Sequence, residues 1–113
     1  MPPRSILTAA QRSSASVFAA LGDQTRLGLV SRLGDRGPQS IVQLSAGFPI
    51  TRQAITKHLR VMESAGLVRS TPQGREIVWE LEKKPLAEAR RHLETISAQW
   101  DETLGRLKGF VER

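Results

Sequence analysis

Five side chains at helical spacing, Arg52, Gln53, Thr56, Lys57 and Arg60, could together read and neutralise a polyanion. Placed at 100° per residue, they share one arc with Glu63 and Ser64, while Ala54, Ile55, His58, Leu59, Val61, Met62 and Ala65 fill the other. A guanidinium fork matches the acceptors of guanine, a Gln amide matches adenine, and a Thr hydroxyl serves either. The cations of Lys57 and Arg60 suit phosphates, which position a protein on a duplex without specifying sequence. Thr51 precedes the run as an N-cap and stands within reach of a phosphate, and Gly66 follows it as a stop. Ile50 and Ile55 hold the N′ and N4 positions of a hydrophobic staple.

A helix that buries one side and presents the other needs a scaffold, and the flanks supply one. Residues 1–13, with Pro2-Pro3, read as an N-terminal arm. A first helix is predicted over Ser14 to Leu21, and Asp23 caps a second over Gln24 to Leu33 with Leu27, Val30 and Leu33 as its apolar residues. Gly34 to Pro38 is a break. Ser40 caps a short third helix, Ile41 to Ala46, and is a candidate to offer its hydroxyl and neighbouring N–H groups to the phosphate backbone. Gly47-Phe48-Pro49 is the turn into the two-faced helix. Beyond Gly66, Leu67 to Thr71 and Arg75 to Leu81 form a β-hairpin around Pro72-Gln73-Gly74, with Ile77, Trp79 and Leu81 facing inward.

Pro85 is expected to open the last helix. Leu86, Leu93, Trp100 and Leu107 recur every seven residues, and Ala89, Ile96, Thr103 and Phe110 fill a second seam that drifts to Leu104 and Val111. Running to about residue 110, this helix would be roughly 39 Å long, more than so small a domain needs to cover its own core. The surplus stripe points to a partner helix from a second copy, and Leu86, Leu93, Ile96, Trp100, Leu104, Leu107 and Phe110 are its candidate contacts.

At 113 residues the chain is expected to form one compact domain: the arm, a body over 14–83, and the dimerising helix over 84–113. It has no cysteine, which removes disulfides and thiolate chemistry and fits a reducing cytosol. No apolar run approaches membrane length, and no secretory signal is visible. The net charge of +6 is uneven: residues 1–75 hold 10 basic and 3 acidic side chains, residues 76–113 hold 7 and 8. The excess lies with the two-faced helix, as a polyanion partner would require. No nucleophile triad, phosphate-cradling loop or carboxylate pair stands out, so the chain does not read as an enzyme.

Helix-turn-helix followed by a hairpin is the plan of a winged helix-turn-helix. The expected class is mainly α with a small hairpin (α+β), in the order α-α-α-α-β-β-α with a long terminal helix. The stretches Phe18-Ala19-Ala20-Leu21-Gly22-Asp23-Gln24-Thr25-Arg26, Phe48 to Leu59 and Glu63-Ser64-Ala65-Gly66-Leu67-Val68 resemble the ArsR/SmtB family of bacterial transcriptional regulators over about residues 15–112. The segment from Pro85-Leu86 through Trp100-Asp101 to Leu104 resembles the cysteine-free branch often encoded beside helix-grip (SRPBCC) proteins. The resemblance implies a cytoplasmic, nucleoid-associated homodimeric repressor of its own or a neighbouring operon, reading an inverted repeat in double-stranded DNA. It implies that the first helix, with Val17 and Phe18, joins the dimer interface, and that Gln73, Gly74 and Arg75 form a wing tip along flanking DNA. Metal-sensing relatives carry a Cys-x-Cys pair that Ile41-Val42-Gln43-Leu44-Ser45 lacks. Others use His and acidic ligands on the last helix, where His92 stands with Glu88, Glu94 and Asp101 and is expected to be an exposed polar residue. No metal or cofactor is expected, and any small-molecule or protein effector is left unnamed. A winged helix used for protein interaction and a sequence-blind DNA binder remain open alternatives.

Overall fold

Short polar side chains set the helix starts by accepting from backbone N–H groups that have no partner in the first turn. The computed structural model describes residues 6–112. Thr8 opens α1 (Ala9–Leu21) with a capping box, its Oγ1 accepting from Gln11 N–H while Gln11 Oε1 accepts from Thr8 N–H. This Thr-x-x-Gln box starts the helix ahead of the expected Ser14, so residues 9–13 of the expected arm are helical. Residues 1–5 of that arm lie outside the described residues. Asp23 caps α2 (Gln24–Arg36), and Ser40 and Gln43 form a second capping box at α3 (Ile41–Ser45). Thr51 caps α4 (Arg52–Ser64), its Oγ1 accepting from Ala54 N–H at 3.1 Å.

Gln39–Ser40 is a two-residue strand, β1, too short to show alternation in sequence. It pairs antiparallel with β3 (Glu76–Leu81), Gln39 opposite Trp79, and β3 pairs with β2 (Val68–Gln73) to give the sheet order β1-β3-β2. The winged helix-turn-helix class thus holds, with one strand added before α3. The hairpin register places Gln73 opposite Glu76, so its loop is Gly74-Arg75 and Pro72 lies inside β2. Proline is tolerated there because β2 is an edge strand. Gly74 takes φ +61° at the first loop position, the setting that suits a II′ hairpin turn. Helix α5 (Lys83–Val111) begins before Pro85, which occupies its third position, still within the first turn where an N–H has no helical partner.

The core joins every long element. Val17, Leu29, Leu33, Leu44, Ile55, Leu59, Met62, Leu67 and Trp79 are buried. Three expectations shift. Leu29 rather than Leu27 joins Leu33 in the core from α2, Ile77 is exposed where the hairpin leaves the body, and Val61 at the edge of the apolar arc of α4 is exposed. Of α5 only Ala89 is buried, and the helix runs on past the body, stretching the molecule to 67 × 41 × 22 Å.

Gly66 ends α4 at φ +78° with a Schellman pair: Leu67 N–H donates to the Met62 carbonyl and Gly66 N–H to that of Glu63, each at 2.9 Å. No atom lies within 4 Å of a Cβ added there, so the cost of substitution is conformational alone. Gly66→Ala is expected to lower stability by about 1–2 kcal/mol with an unchanged denaturant slope, measured by urea unfolding.

Candidate nucleic-acid interface

The polar arc of α4 faces outward because the centre of the opposite arc is buried. Ile55, Leu59 and Met62 have no exposed surface, which fixes the rotation of the helix about its axis. Arg52, Gln53 and Lys57 are exposed as a result, and none makes a side-chain hydrogen bond or ion pair among the described residues. Thr51, Gln53, Thr56, Lys57 and Arg60 line one shallow concavity of about 550 Å³. Thr56 is half-buried, and its Oγ1 donates to the Arg52 carbonyl at 2.9 Å. Its hydroxyl proton is therefore committed, and lone pairs remain to accept from a base.

The turn ahead of α4 is clamped from α2. Arg32 Nη1 donates to the Leu44 carbonyl at 3.2 Å, and the guanidinium lies 4.8 Å from the centroid of the Phe48 ring. One residue thereby satisfies the end of α3 and packs on the turn between the two helices.

Two expected phosphate contacts are placed differently. Ser40 is buried, with 4% of its surface exposed, and its Oγ accepts from Gln43 N–H, so it is a cap and not a surface donor. Arg60 is exposed and lines the concavity, but it is engaged on one side: Nη1 donates to Glu63 Oε1 at 2.8 Å and the guanidinium lies 4.8 Å from the Trp79 ring centroid. Glu63 Oε2 accepts from Ser70 Oγ of β2 at 2.5 Å. The i,i+3 spacing of Arg60 and Glu63 was visible in sequence, while the link to Ser70 needed the sheet. Gln73, Gly74 and Arg75 are exposed at the hairpin tip. A second groove of about 310 Å³ separates the tip from α4, with Arg60 and Arg75 beside the exposed apolar side chains of Val42 and Ile77.

The candidate contacts along α1 and α5 divide in two. Val17 has no exposed surface and belongs to the chain's own core, since α1 packs that face inward. Phe18 and Leu86 are half-buried against the core. Leu93, Ile96, Trp100, Leu104, Leu107 and Phe110 are 44–74% exposed. His92 is half-buried rather than exposed, its Nδ1 2.7 Å from Oγ of the buried Ser14. Among the described residues, no group of three or more His, Asp or Glu side chains is placed to hold a metal ion, and no helix is long and apolar enough to cross a membrane.

Residues 21–71 match the helix-turn-helix domain family. The chain is 36% identical over 83 residues to the HTH-type transcriptional regulator Rv2034 of Mycobacterium tuberculosis, covering 74% of this chain and 77% of that protein. Its fold matches an ArsR-like transcriptional regulator from Rhodococcus sp. RHA1 with a TM-score of 0.78 at 41% identity, over 91% of this chain and 96% of the other. The chain belongs to the ArsR family of transcriptional regulators. This ArsR-family chain is a DNA-binding regulator, not an enzyme. A more distant likeness, to the homodimeric winged helix-turn-helix DNA-binding domain Mb0332 of Mycobacterium bovis, is one of fold alone: 20% identity, TM-score 0.63, 90% of this chain and 92% of that one.

In this ArsR-family chain two carboxylates lie below their ordinary range. The Arg26 backbone N–H holds Asp23 down, with the Arg26 and His58 side chains assisting against partial burial. Hydrogen bonds from Ser70 and Arg60 hold Glu63 down. A carboxylate lowered by folding contributes stability that is present above its unfolded value, near pH 4, and lost as pH falls through its folded value. Acid titration of thermal stability should therefore show a decline beginning below about pH 4, and Asp23→Asn or Glu63→Gln should flatten it. An unaltered acid limb in both variants would contradict this account.

Proposed function

We propose that the chain is a homodimeric repressor of its own or a neighbouring operon, placing α4 in the major groove of an inverted-repeat operator and the β2–β3 wing on flanking DNA. The observation that carries the proposal is the set of exposed, uncommitted Arg52, Gln53 and Lys57 on a helix whose opposite side is anchored by the fully buried Ile55, Leu59 and Met62. Arg52, Gln53 and Thr56 contact base edges, and Thr56, its proton already given to Arg52, accepts from an exocyclic amino group. Lys57, Thr51 and the wing-tip Gln73, Gly74 and Arg75 contact the backbone. A cytosolic regulator meets its operator directly, which suits this assignment.

The exposed stripe on α5 supports pairing. Six large apolar side chains along one helix form a contiguous patch of the kind that monomers seldom leave in water. The Mycobacterium bovis domain of the same fold is homodimeric. A two-fold pair presents its two reading helices about one DNA turn, ~34–36 Å, apart, which matches a palindromic operator.

A gel shift against the DNA upstream of the chain's own gene is the direct test. Binding there should exceed binding to random duplex and fall steeply with salt as counterions are released. Equal affinity for both duplexes with a shallow salt slope would refute the reading. Gln53→Ala and Thr56→Ala should each relax sequence preference by about 1–3 kcal/mol, whereas Lys57→Ala should weaken all duplexes about equally. Trp100→Arg combined with Leu104→Arg should convert a dimer to a monomer in sedimentation velocity and abolish the operator shift.

A further inference from the structure

We infer that Glu63 is a positioning residue that clamps the wing to the reading helix through Arg60 and Ser70, so that discrimination of flanking DNA depends on a residue that touches no DNA. The inference rests on the DNA-reading role proposed above.

The carboxylate of Glu63 sits at the junction of α4 and β2 and uses both oxygens in different directions. Oε1 takes Arg60 Nη1 at 2.8 Å on its own helix, and Oε2 takes Ser70 Oγ at 2.5 Å on the first strand of the wing. Arg60 extends the link to the second strand by stacking on Trp79, which is 2% exposed and stands directly opposite Ser70 in the hairpin register. Three elements thus meet at one charge. Arg60 and Trp79, one end of the link, line the groove that separates α4 from the wing tip, together with Arg75. The pairing of β1 with β3 and the buried Leu67, Val68 and Trp79 hold the root of the wing, while beyond it the hairpin is exposed from Thr71 to Ile77 and leaves the core behind. A hairpin of this kind is marginal without packing on the body, and a hydrogen-bonded carboxylate at its root is well placed to hold it.

The arrangement also changes what Arg60 does. A guanidinium engaged by a carboxylate and an aromatic face has less to give a phosphate than the unpaired Lys57. Releasing it from Glu63 would free a cation while loosening the wing, so generic affinity and flanking discrimination should move in opposite directions.

The test uses the full-length protein and two duplexes. One is recovered by the wild type from a random-sequence pool, and the other is the same duplex trimmed to the major-groove half-sites. In Glu63→Ala and in Ser70→Ala, amide hydrogen exchange across Thr71–Val78 should quicken about five- to tenfold while core amides of α2 and α4 keep their protection. The long-to-short affinity ratio should fall by a similar factor, with affinity for the short duplex unchanged or raised in Glu63→Ala. Arg60→Met should lower the ratio in the wild type; in the Glu63→Ala background it should leave the ratio unchanged and remove any gain in affinity for the short duplex. Wild-type exchange in the wing of both variants would overturn the clamp whether or not DNA binds. So would an unaltered ratio, or a further fall in the ratio from Arg60→Met in the Glu63→Ala background as large as in the wild type, which would make Arg60 a direct ligand of the flanking DNA. Failure of the wild type to select any duplex, with wing exchange still quickened, would count against the DNA-reading role and leave the clamp standing.

Discussion

Burial of Ile55, Leu59 and Met62 is the constraint on which the rest of this structure hangs. Each side chain is wholly removed from solvent, and each such burial contributes about 1.5–3 kcal/mol. They lie at i, i+4 and i+7, on one line down the inner face of α4. Turning the helix by one residue toward its polar side would wet that line and bury Thr56, Arg60 and Glu63, at a cost no surface contact could offset. The outward direction of Arg52, Gln53 and Lys57 therefore follows from the core, before any partner is considered. The same core joins Leu44 of α3, Leu29 and Leu33 of α2 and Trp79 of β3, so the supporting helix and the wing root are referred to one centre.

A polar corner completes that frame. Asp23 caps α2 by accepting from Arg26 N–H, and Arg26 turns back so that its Nε donates to the Ala20 carbonyl at 2.6 Å, near the end of α1. His58 of α4 stands against both, its Nδ1 3.9 Å from Asp23 and 3.5 Å from Arg26 Nη1. This gives a physical reason for the Gly22-Asp23-Gln24-Thr25-Arg26 stretch: it closes α1, opens α2 and touches α4. It also explains how the one polar ring in the apolar arc of α4 is accommodated, since its neighbours there are polar.

Local signals were the legible ones. Asp23, Ser40, Thr51 and Gly66 mark helix ends through bonds to atoms two to four residues away, and all four stand where the chain alone places them. What the sequence obscured depends on distant partners. β1 exists only because Gln39 finds Trp79 across the sheet, and Ser14, one of an ordinary run of serines, is buried because His92 meets it from α5. Arg60 read as a phosphate contact on the arc it shares with Glu63, and the bond that Ser70 of β2 gives to that carboxylate depended on the sheet. Val17 shows the reverse error. A resemblance can say that α1 lies near an interface, but only packing decides which of its faces the chain keeps for itself.

Helix α5 carries this logic furthest from the core. Its polar side is stapled by i,i+4 pairs, Arg90 with Glu94, Glu102 with Arg106, and Lys108 with Glu112. Such exposed pairs are each worth about 0.3–0.5 kcal/mol, enough to favour a helix but too little to hold one rigid beyond the body. Its apolar side, from Leu93 to Phe110, is left in water. The two sides are thus unequal in the same sense as in α4, with the difference that among the described residues no other element covers the apolar one from Leu93 to Phe110. A second copy laid along that stripe would do for α5 what the core does for α4, fixing its rotation and, through the packing of α5 on α1, setting the distance between two reading helices. On this view the spacing of the half-sites is a property of the stripe, and the identity of the bases is a property of the arc from Arg52 to Lys57.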